Sequence, residues 1–225
     1  MATTLIDDLK RRPKVKREYI LGVLFFGGLW GLSEAVLGDA LYAAGVPHAS
    51  VPLTVVALAV LTLARSYFPQ RGTGTLIAAC AMLYKFLNSP FFGCHLLGIL
   101  LTGVCYDLVF DVLKVRLKSL GAAAATYLSY AAFAVMITYV FRYGHWVQGG
   151  LAKVLGHVVI GGSMAALASA CTVPLIARLG ERLKSRSPMP FGLLRYPIPA
   201  GVSALTLGLW AFAAVMCAWS HPFVR

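Results

Sequence analysis

One acidic residue stands inside an apolar stretch that is long enough to form a membrane-spanning helix. Glu34 lies between Tyr19 and Tyr42. At about 1.5 Å of rise per residue, a helix over this stretch crosses a hydrocarbon core of about 30 Å. An ionisable group in such a helix is costly, so it is expected to serve either a function or a buried structural pair. The sequence leaves these two alternatives open.

Small residues share the helical face on which Glu34 lies. At helical spacing these are Gly27, Gly31, Ala35 and Gly38. Because a face of small residues lets another helix approach closely, a carboxylate on it points toward protein or trapped water rather than lipid. We therefore predict that Glu34 lies inside a helical bundle, with Lys85 or His157 as its partner.

Other polar residues are predicted at the same end of the bundle as Glu34. Lys153 and His157 are four residues apart and share a helical face that continues into small residues, so the first and sixth spans either pack together or flank one pocket. The candidate substrate-binding residues are Glu34, Lys85, Asn88, His95 and His157. A nearby group is typical instead of an interfacial belt, in which aromatics and long cations anchor helix ends: Arg142, Tyr143, His145 and Trp146.

The cysteines give one further candidate ligand. They are Cys80, Cys94, Cys105, Cys171 and Cys217. None forms a CxxC pair, so neither a zinc knuckle nor a thioredoxin-type site is indicated. Cys80 is flanked by alanines in the middle of its span, which leaves room for a metal-bearing ligand beside a soft thiolate. Simple packing of a buried cysteine is the alternative.

Asp107 and Asp111 lie four residues apart near the inner end of the fourth span. Like charges at this spacing repel slightly, and carboxylates at a helix C-terminus oppose its dipole. The pair is interpreted as a solvated helix end, with a docking surface for a cytoplasmic partner as the functional alternative.

Composition indicates a membrane protein. Of the 225 residues, 59% are hydrophobic and 12% are charged, and the mean hydropathy is +0.78. A soluble domain carries about 25% charged residues. We predict an all-α integral membrane protein, a bundle of 6–7 transmembrane helices, in which residues 19–219 form a single domain. The predicted spans cover residues 19–42, 51–64, 72–88, 91–113, 120–141, 151–177 and 197–219.

The basic residues predict the orientation. With the N-terminus in the cytoplasm, seven spans place sixteen of the 20 Lys and Arg residues on the cytoplasmic side, as the positive-inside rule requires. They concentrate in an N-terminal segment, 1–18, and in a basic loop, 178–196. The excess charge is therefore expected to meet anionic lipid rather than nucleic acid. HExxH, GxSxG and GxxxxGK[ST] are absent from the sequence, and we expect neither an enzyme nor a resident cofactor.

Three features resemble one family of bacterial inner-membrane proteins. They are GGLWGLSEAVLG in the first span, a short second span, and the turn YFPQRGTGTLIAAC that leads into the third. Over about Tyr19 to Asp111 the chain resembles the S components, the substrate-binding membrane subunits of energy-coupling factor transporters. These are bundles of usually six spans, and the seven-span count departs from that pattern.

The resemblance implies a function and several residue roles. S components bind a vitamin or metal ion near the outer face, and a transmembrane T component and two ATPases then drive its release. Gly27, Gly31 and Ala35 match the spacing of residues that contact the T component. If Cys80 faces the pocket, it would ligate the cobalt of a corrinoid.

Two main hypotheses follow. The first is a substrate-binding subunit for uptake of a small molecule, without catalysis of its own. The alternative is a structural or assembly subunit of a membrane complex, and a membrane enzyme that uses the same polar cluster is a third. A cavity lined by Glu34 and its neighbours favours the first hypothesis, whereas polar groups that close on one another without a void favour the second.

Overall fold

A computed structural model describes residues 17–87, 93–186, 204–212 and 215 of the chain. The predicted all-α class is confirmed, since this part of the chain contains helices and no strand. The helices are α1 (Arg17–Ala43), α2 (Ser50–Tyr67), α3 (Thr73–Leu83), α4 (Gly93–Asp107), α5 (Lys118–Val135), α6 (Gly144–Leu155) and α7 (Gly162–Arg186). A 3-10 turn, Tyr84–Leu87, extends α3, and π-helical turns extend α4 (Leu108–Val112) and α5 (Met136–Val140) and join α6 to α7 (Gly156–Gly161).

Five helical segments in the described residues are long and apolar enough to cross a membrane. They are Glu18–Ala43, Ser50–Tyr67, Gly93–Val112, Lys118–Val140 and Gly144–Ser185. Helix α3 is apolar but shorter, at 11 residues. The predicted span at 197–219 falls mostly outside the described residues. Within this span, residues 204–212 are described and are helical. The N-terminal segment 1–18 and Asn88 also fall largely or wholly outside the described residues.

Six of the helices form a closed ring. Each packs against two ring neighbours, in the order α1, α2, α7, α5, α4, α3 and back to α1. The buried core follows this ring, and Trp30, Leu58, Ile77 and Tyr106 are almost fully enclosed in it. Helix α6 lies outside the ring sequence and leads into α7 through the π turn. Gly150 breaks α6 with φ of 55°, in the left-handed region that glycine adopts without strain.

The small-residue face of α1 packs against α3 of the same chain. A Cβ added to Gly27 would lie 2.4 Å from the Cβ of Cys80, and one added to Gly31 would lie 2.8 Å from the carbonyl oxygen of Ala81. Ala35 is also buried. Close packing through this face was predicted and is confirmed. Contact of Gly27, Gly31 and Ala35 with a T component stays a prediction, and it would require α1 and α3 to separate.

The interpretation of Asp107 and Asp111 as a solvated helix end is wrong. Both side chains are buried, and they accept hydrogen bonds from the first residues of α3 and the turn before it. The Asp107 carboxylate accepts bonds from the Gly74 amide (3.1 Å), the Thr75 amide (2.6 Å) and the Thr75 hydroxyl (2.7 Å). Carboxylates suit this place because the first amides of a helix lack partners within it and its N-terminus is positive.

The prediction of a basic loop at 178–196 is wrong for residues 178–186. Helix α7 continues to Arg186, so residues 178–186 are helical rather than irregular. Most of these residues are good helix formers (Arg, Leu, Glu and Lys), and the side chains of Arg178, Glu181, Arg182 and Lys184 are exposed. The remainder of the predicted loop lies outside the described residues.

Candidate functional site

A cavity of about 560 Å³ lies at one end of the bundle, which we call the cavity end. It lies next to the α1–α2 connection. Its walls are formed by the C-terminal part of α1, the first residues of α2, the first half of α4, the end of α5, and α6. Its polar and aromatic lining consists of Glu34, Tyr42, His48, Ser50, Lys85, Cys94, His95, Thr102, Ser129, Tyr130, Phe133, Trp146, Lys153 and His157. Tyr42, Val46 and His48 are exposed at its rim. Its size falls within the range of pockets that hold small organic ligands, about 300–1,000 Å³.

Glu34 and Lys85 form the deepest charged part of the cavity wall. Both are buried, and the Lys85 ammonium lies 3.8 Å from Glu34 Oε2. The same ammonium donates a shorter hydrogen bond of 2.8 Å to the backbone carbonyl oxygen of Glu34. Trp30 Nε1 donates to Glu34 Oε1 at 3.2 Å. The predicted pairing of Glu34 is thus confirmed with Lys85, and the contact is a loose one that leaves hydrogen-bonding capacity on both groups.

Helix α1 and the 3-10 turn after α3 place this pair. Glu34 projects from α1 one helical turn after Trp30, so the indole can reach its carboxylate. Lys85 lies in the turn Tyr84–Leu87 that follows α3. Gly38 provides space for the lysine, since a Cβ added there would lie 3.3 Å from its ammonium nitrogen.

Aromatic side chains from α5, α6 and the π turn form a second wall, which we call the aromatic wall (Tyr130, Phe133, Trp146 and His157). The imidazole of His157 stacks on Tyr130 with ring centroids 4.7 Å apart. It meets Trp146 edge-on at 5.1 Å and Phe133 at 5.6 Å. The Tyr130 hydroxyl donates to Ser50 Oγ at 3.2 Å, which connects the aromatic wall to α2. Mutual packing of these rings holds them as a preformed surface.

Lys153 lies over one side of the aromatic wall. Its ammonium is 5.3 Å from the centroid of the Trp146 ring. Its aliphatic stem packs on Gly149 across the kink at Gly150, and a Cβ added to Gly149 would come within 2.6 Å of the lysine Cδ. Among the described residues, no carboxylate lies within ion-pair distance of this ammonium.

The structure brings together four of the five predicted binding residues. Glu34, Lys85, His95 and His157 line the cavity, and Asn88 lies outside the described residues. His95 stacks on Tyr42, with ring centroids 5.5 Å apart. The first and sixth predicted spans flank this one pocket, which was one of the two arrangements expected.

Of the four residues of the aromatic wall, the sequence singled out only His157 as a binding residue. Trp146 was assigned to an interfacial belt, and the structure places it on the cavity, whereas its neighbours Arg142, Tyr143 and His145 are exposed as a belt requires. Tyr130 and Phe133 carried no distinguishing signal, because aromatic residues in an apolar helix are common whether or not they line a site. The face shared by Lys153 and His157 was the signal that pointed here.

Cys80 packs against Gly27 between α1 and α3 and is not among the cavity-lining residues. Its role as a ligand to a corrinoid cobalt therefore stays a prediction. Within the described residues, no group of three or more His, Cys, Asp or Glu side chains is arranged to hold a metal ion.

The opposite end of the bundle, which we call the basic end, has a different character. A second cavity of about 410 Å³ lies there, and its lining includes Arg65, Lys114, Arg116 and Lys118. Arg65 forms an ion pair with the buried Asp111, and Lys118 donates to the exposed Glu181 at 2.7 Å. Basic side chains, mostly exposed, thus collect away from the aromatic cavity.

No protein-family model, curated protein or solved structure matches this chain. The layout that resembles S components therefore remains a resemblance in the quoted segments. What the structure adds is the class: a helical bundle with several helices that are apolar enough to span a membrane, and a polar and aromatic cavity at the end opposite the cluster of Arg65, Lys114, Arg116 and Lys118.

Proposed function

We propose that this protein is a membrane-embedded binding subunit that takes up a small organic molecule from the outer side of a bacterial inner membrane. The single observation that carries the proposal is the cavity of about 560 Å³ with Glu34 and Lys85 in its wall. A purely structural subunit has no need of such a void, which costs packing energy in the helices around it.

The charge distribution supports the orientation. Basic residues gather at the end opposite the cavity, including Arg65, Lys114, Arg116 and Lys118. By the positive-inside rule this end faces the cytoplasm, so the cavity faces outward. A binding subunit of this kind needs an energised partner for release, and a T component with ATPases fits the resemblance in the first half of the chain.

One observation favours the alternative, a structural or assembly subunit. Glu34 and Lys85 already contact each other, as buried structural pairs do. This pair differs from a structural ion pair in two respects: the charged atoms are 3.8 Å apart, and a void adjoins them. A structural pair that replaces lost hydration is expected to form short, saturated hydrogen bonds.

Identification of a bound molecule tests the proposal. The protein is extracted in a mild nonionic detergent, and small molecules are released and identified by mass spectrometry. The Glu34→Gln variant is compared with the parent, and Glu181→Gln is the matched control, because Glu181 is an exposed carboxylate at the basic end. Cys80→Ala tests the corrinoid prediction through the absorbance of the preparation.

We expect the parent and Glu181→Gln to carry the same molecule, and Glu34→Gln to lose most of it. An empty parent, examined directly in native membranes as well as after purification, contradicts the proposal and favours the structural alternative. Equal retention by Glu34→Gln and the parent would remove Glu34 from the site.

A further inference from the structure

Among the side chains that line the cavity, positive charges outnumber negative ones. Its lining carries two ammonium groups, Lys85 and Lys153, against one carboxylate, Glu34. Lys85 is matched by Glu34, to which it is bound through both the carboxylate and the backbone carbonyl. The unmatched cation is Lys153, which has no carboxylate within ion-pair distance among the described residues. A half-buried cation is stabilised when an anion supplies the missing partner.

The surroundings of Lys153 define what should accompany that anion. Its ammonium lies over the Trp146 ring, which continues into the aromatic wall through the contacts of His157 with Trp146, Tyr130 and Phe133. Planar aromatic groups pack well on such a surface, by stacking or edge contacts. An anionic group at Lys153 would therefore be attached to a ring that lies along the aromatic wall.

The stem of Lys153 is also packed across the kink that Gly150 makes in α6. Gly149 has no side chain, and the lysine stem occupies the space that a Cβ there would take, at 2.6 Å from Cδ and 2.7 Å from Cβ. Because Gly150 breaks α6 between the two residues, this contact comes from the kink rather than from regular helical spacing. The packing restricts the stem of the lysine before a ligand arrives, which lowers the conformational entropy lost on binding.

We propose that the ligand of this cavity is an aromatic organic monoanion, with its anionic group bound by Lys153 and its ring packed on the aromatic wall. This inference rests on the proposed function and names its substrate class. Glu34 and Lys85 then form hydrogen bonds with uncharged polar groups of the ligand, because both residues retain hydrogen-bonding capacity.

A set of four matched probes tests the class. In nonionic detergent without anionic lipid, the purified protein is titrated by calorimetry with 2-naphthoate, its neutral analogue 2-naphthamide, the non-aromatic anion cyclohexanecarboxylate, and sodium sulfate. We expect 2-naphthoate to bind at least about tenfold more tightly than each of the other three, because only it satisfies both the cation and the aromatic wall.

Variants of the parent locate the interaction. Lys153→Met should weaken 2-naphthoate binding about tenfold, while Lys153→Arg, which keeps the charge, should retain most of it. Gly149→Ala should also weaken binding, since it displaces the lysine stem without removing the charge. Lys118→Met is the control, because it removes an ammonium from the basic end. Trp146→Phe keeps an aromatic ring but should lose the quenching of tryptophan fluorescence by the probe.

The possible outcomes separate this inference from the proposed function. Equal binding of 2-naphthoate and 2-naphthamide, or equal loss in Lys153→Met and Lys118→Met, overturns the role of Lys153. Equal binding of sulfate or cyclohexanecarboxylate overturns the aromatic part. Failure of every probe at millimolar concentration overturns the inference as a whole. In each case the co-purification experiment decides independently whether the cavity binds a small molecule.

Discussion

Two buried carboxylates in this protein differ in how fully their oxygens are used. Asp107 accepts three hydrogen bonds from Gly74 and Thr75, at the N-terminus of a neighbouring helix. Glu34 accepts one hydrogen bond from Trp30, and its ion pair with Lys85 spans 3.8 Å. Asp107 lies in close packing between α3 and α4, whereas Glu34 borders a cavity. The saturated acid thus connects two helices, whereas the less saturated one beside a void carries the proposed binding site.

The largest effect is expected where the saturated acid is removed. Asp107→Ala leaves the amides of Gly74 and Thr75 buried without an acceptor, so it should lower the free energy of unfolding by about 2–4 kcal/mol. A fall in the midpoint of thermal aggregation in detergent reports this loss of stability. Asp107→Asn keeps one acceptor oxygen and should lose less. If Asp107→Ala is as stable as the parent, the helix-capping role assigned to this residue is wrong.

Glu34→Gln should show the opposite profile, with a large loss of ligand and a smaller loss of stability. The Lys85 ammonium keeps its 2.8 Å hydrogen bond to the Glu34 carbonyl, and the adjoining cavity gives it access to water. We expect a fall of about 1–2 kcal/mol in the free energy of unfolding, measured in the same assay without ligand. A loss equal to that of Asp107→Ala would erase the contrast and make Glu34 a structural residue.

A smaller perturbation of the same site comes from Gly38→Ala. The new Cβ would lie 3.3 Å from the Lys85 ammonium nitrogen and 3.7 Å from Leu53 Cδ1, so the ammonium must move by a few tenths of an ångström. We expect ligand affinity to fall about threefold, with the unfolding free energy changed by less than about 0.5 kcal/mol. Titration of the ligand identified in the parent measures the affinity. An unchanged affinity would mean that the position of Lys85 is unimportant.

The smallest effect is expected at the basic end. Lys118 and Glu181 form an ion pair in which both side chains are largely exposed, at 44% and 65%. Exposed ion pairs of this kind contribute little, since water screens the charges and the long side chains lose freedom. Lys118→Met should leave both the thermal midpoint and ligand binding unchanged. A clear loss of either would show that the second cavity has a role of its own.

The sequence was sufficient to predict that Glu34 is buried within the protein. A carboxylate in an apolar helix has a high free-energy cost unless protein or trapped water surrounds it. The pairing with Lys85 was also predictable, since a buried acid needs a cation and few were available at that end. The role of Asp107 was not predictable. Its partners are mainly backbone amides, about thirty residues earlier in the chain, and any residue type supplies a backbone amide.

The helices were likewise predicted in part: their existence could be predicted, but their ends could not. Hydropathy predicted the apolar spans, but α2 extends to Tyr67 and α7 to Arg186, beyond the ends expected. In both cases polar residues continue the helix, because helix formation depends on backbone hydrogen bonds and side-chain conformation as well as on apolar character. The aromatic wall escaped prediction for another reason: it depends on the approach of α5 and α6, which no local pattern specifies.

The closed ring has a consequence for the order of events during synthesis. Helix α2 completes the ring only by packing against α7, and the Lys184 ammonium donates to the Ser66 carbonyl oxygen across 118 residues of sequence. Every residue that lines the aromatic cavity precedes these last turns of α7 in the chain. The ribosome therefore delivers the whole cavity lining before it delivers the helix that encloses the bundle. Until then, the face of α2 that packs against α7 lacks that partner.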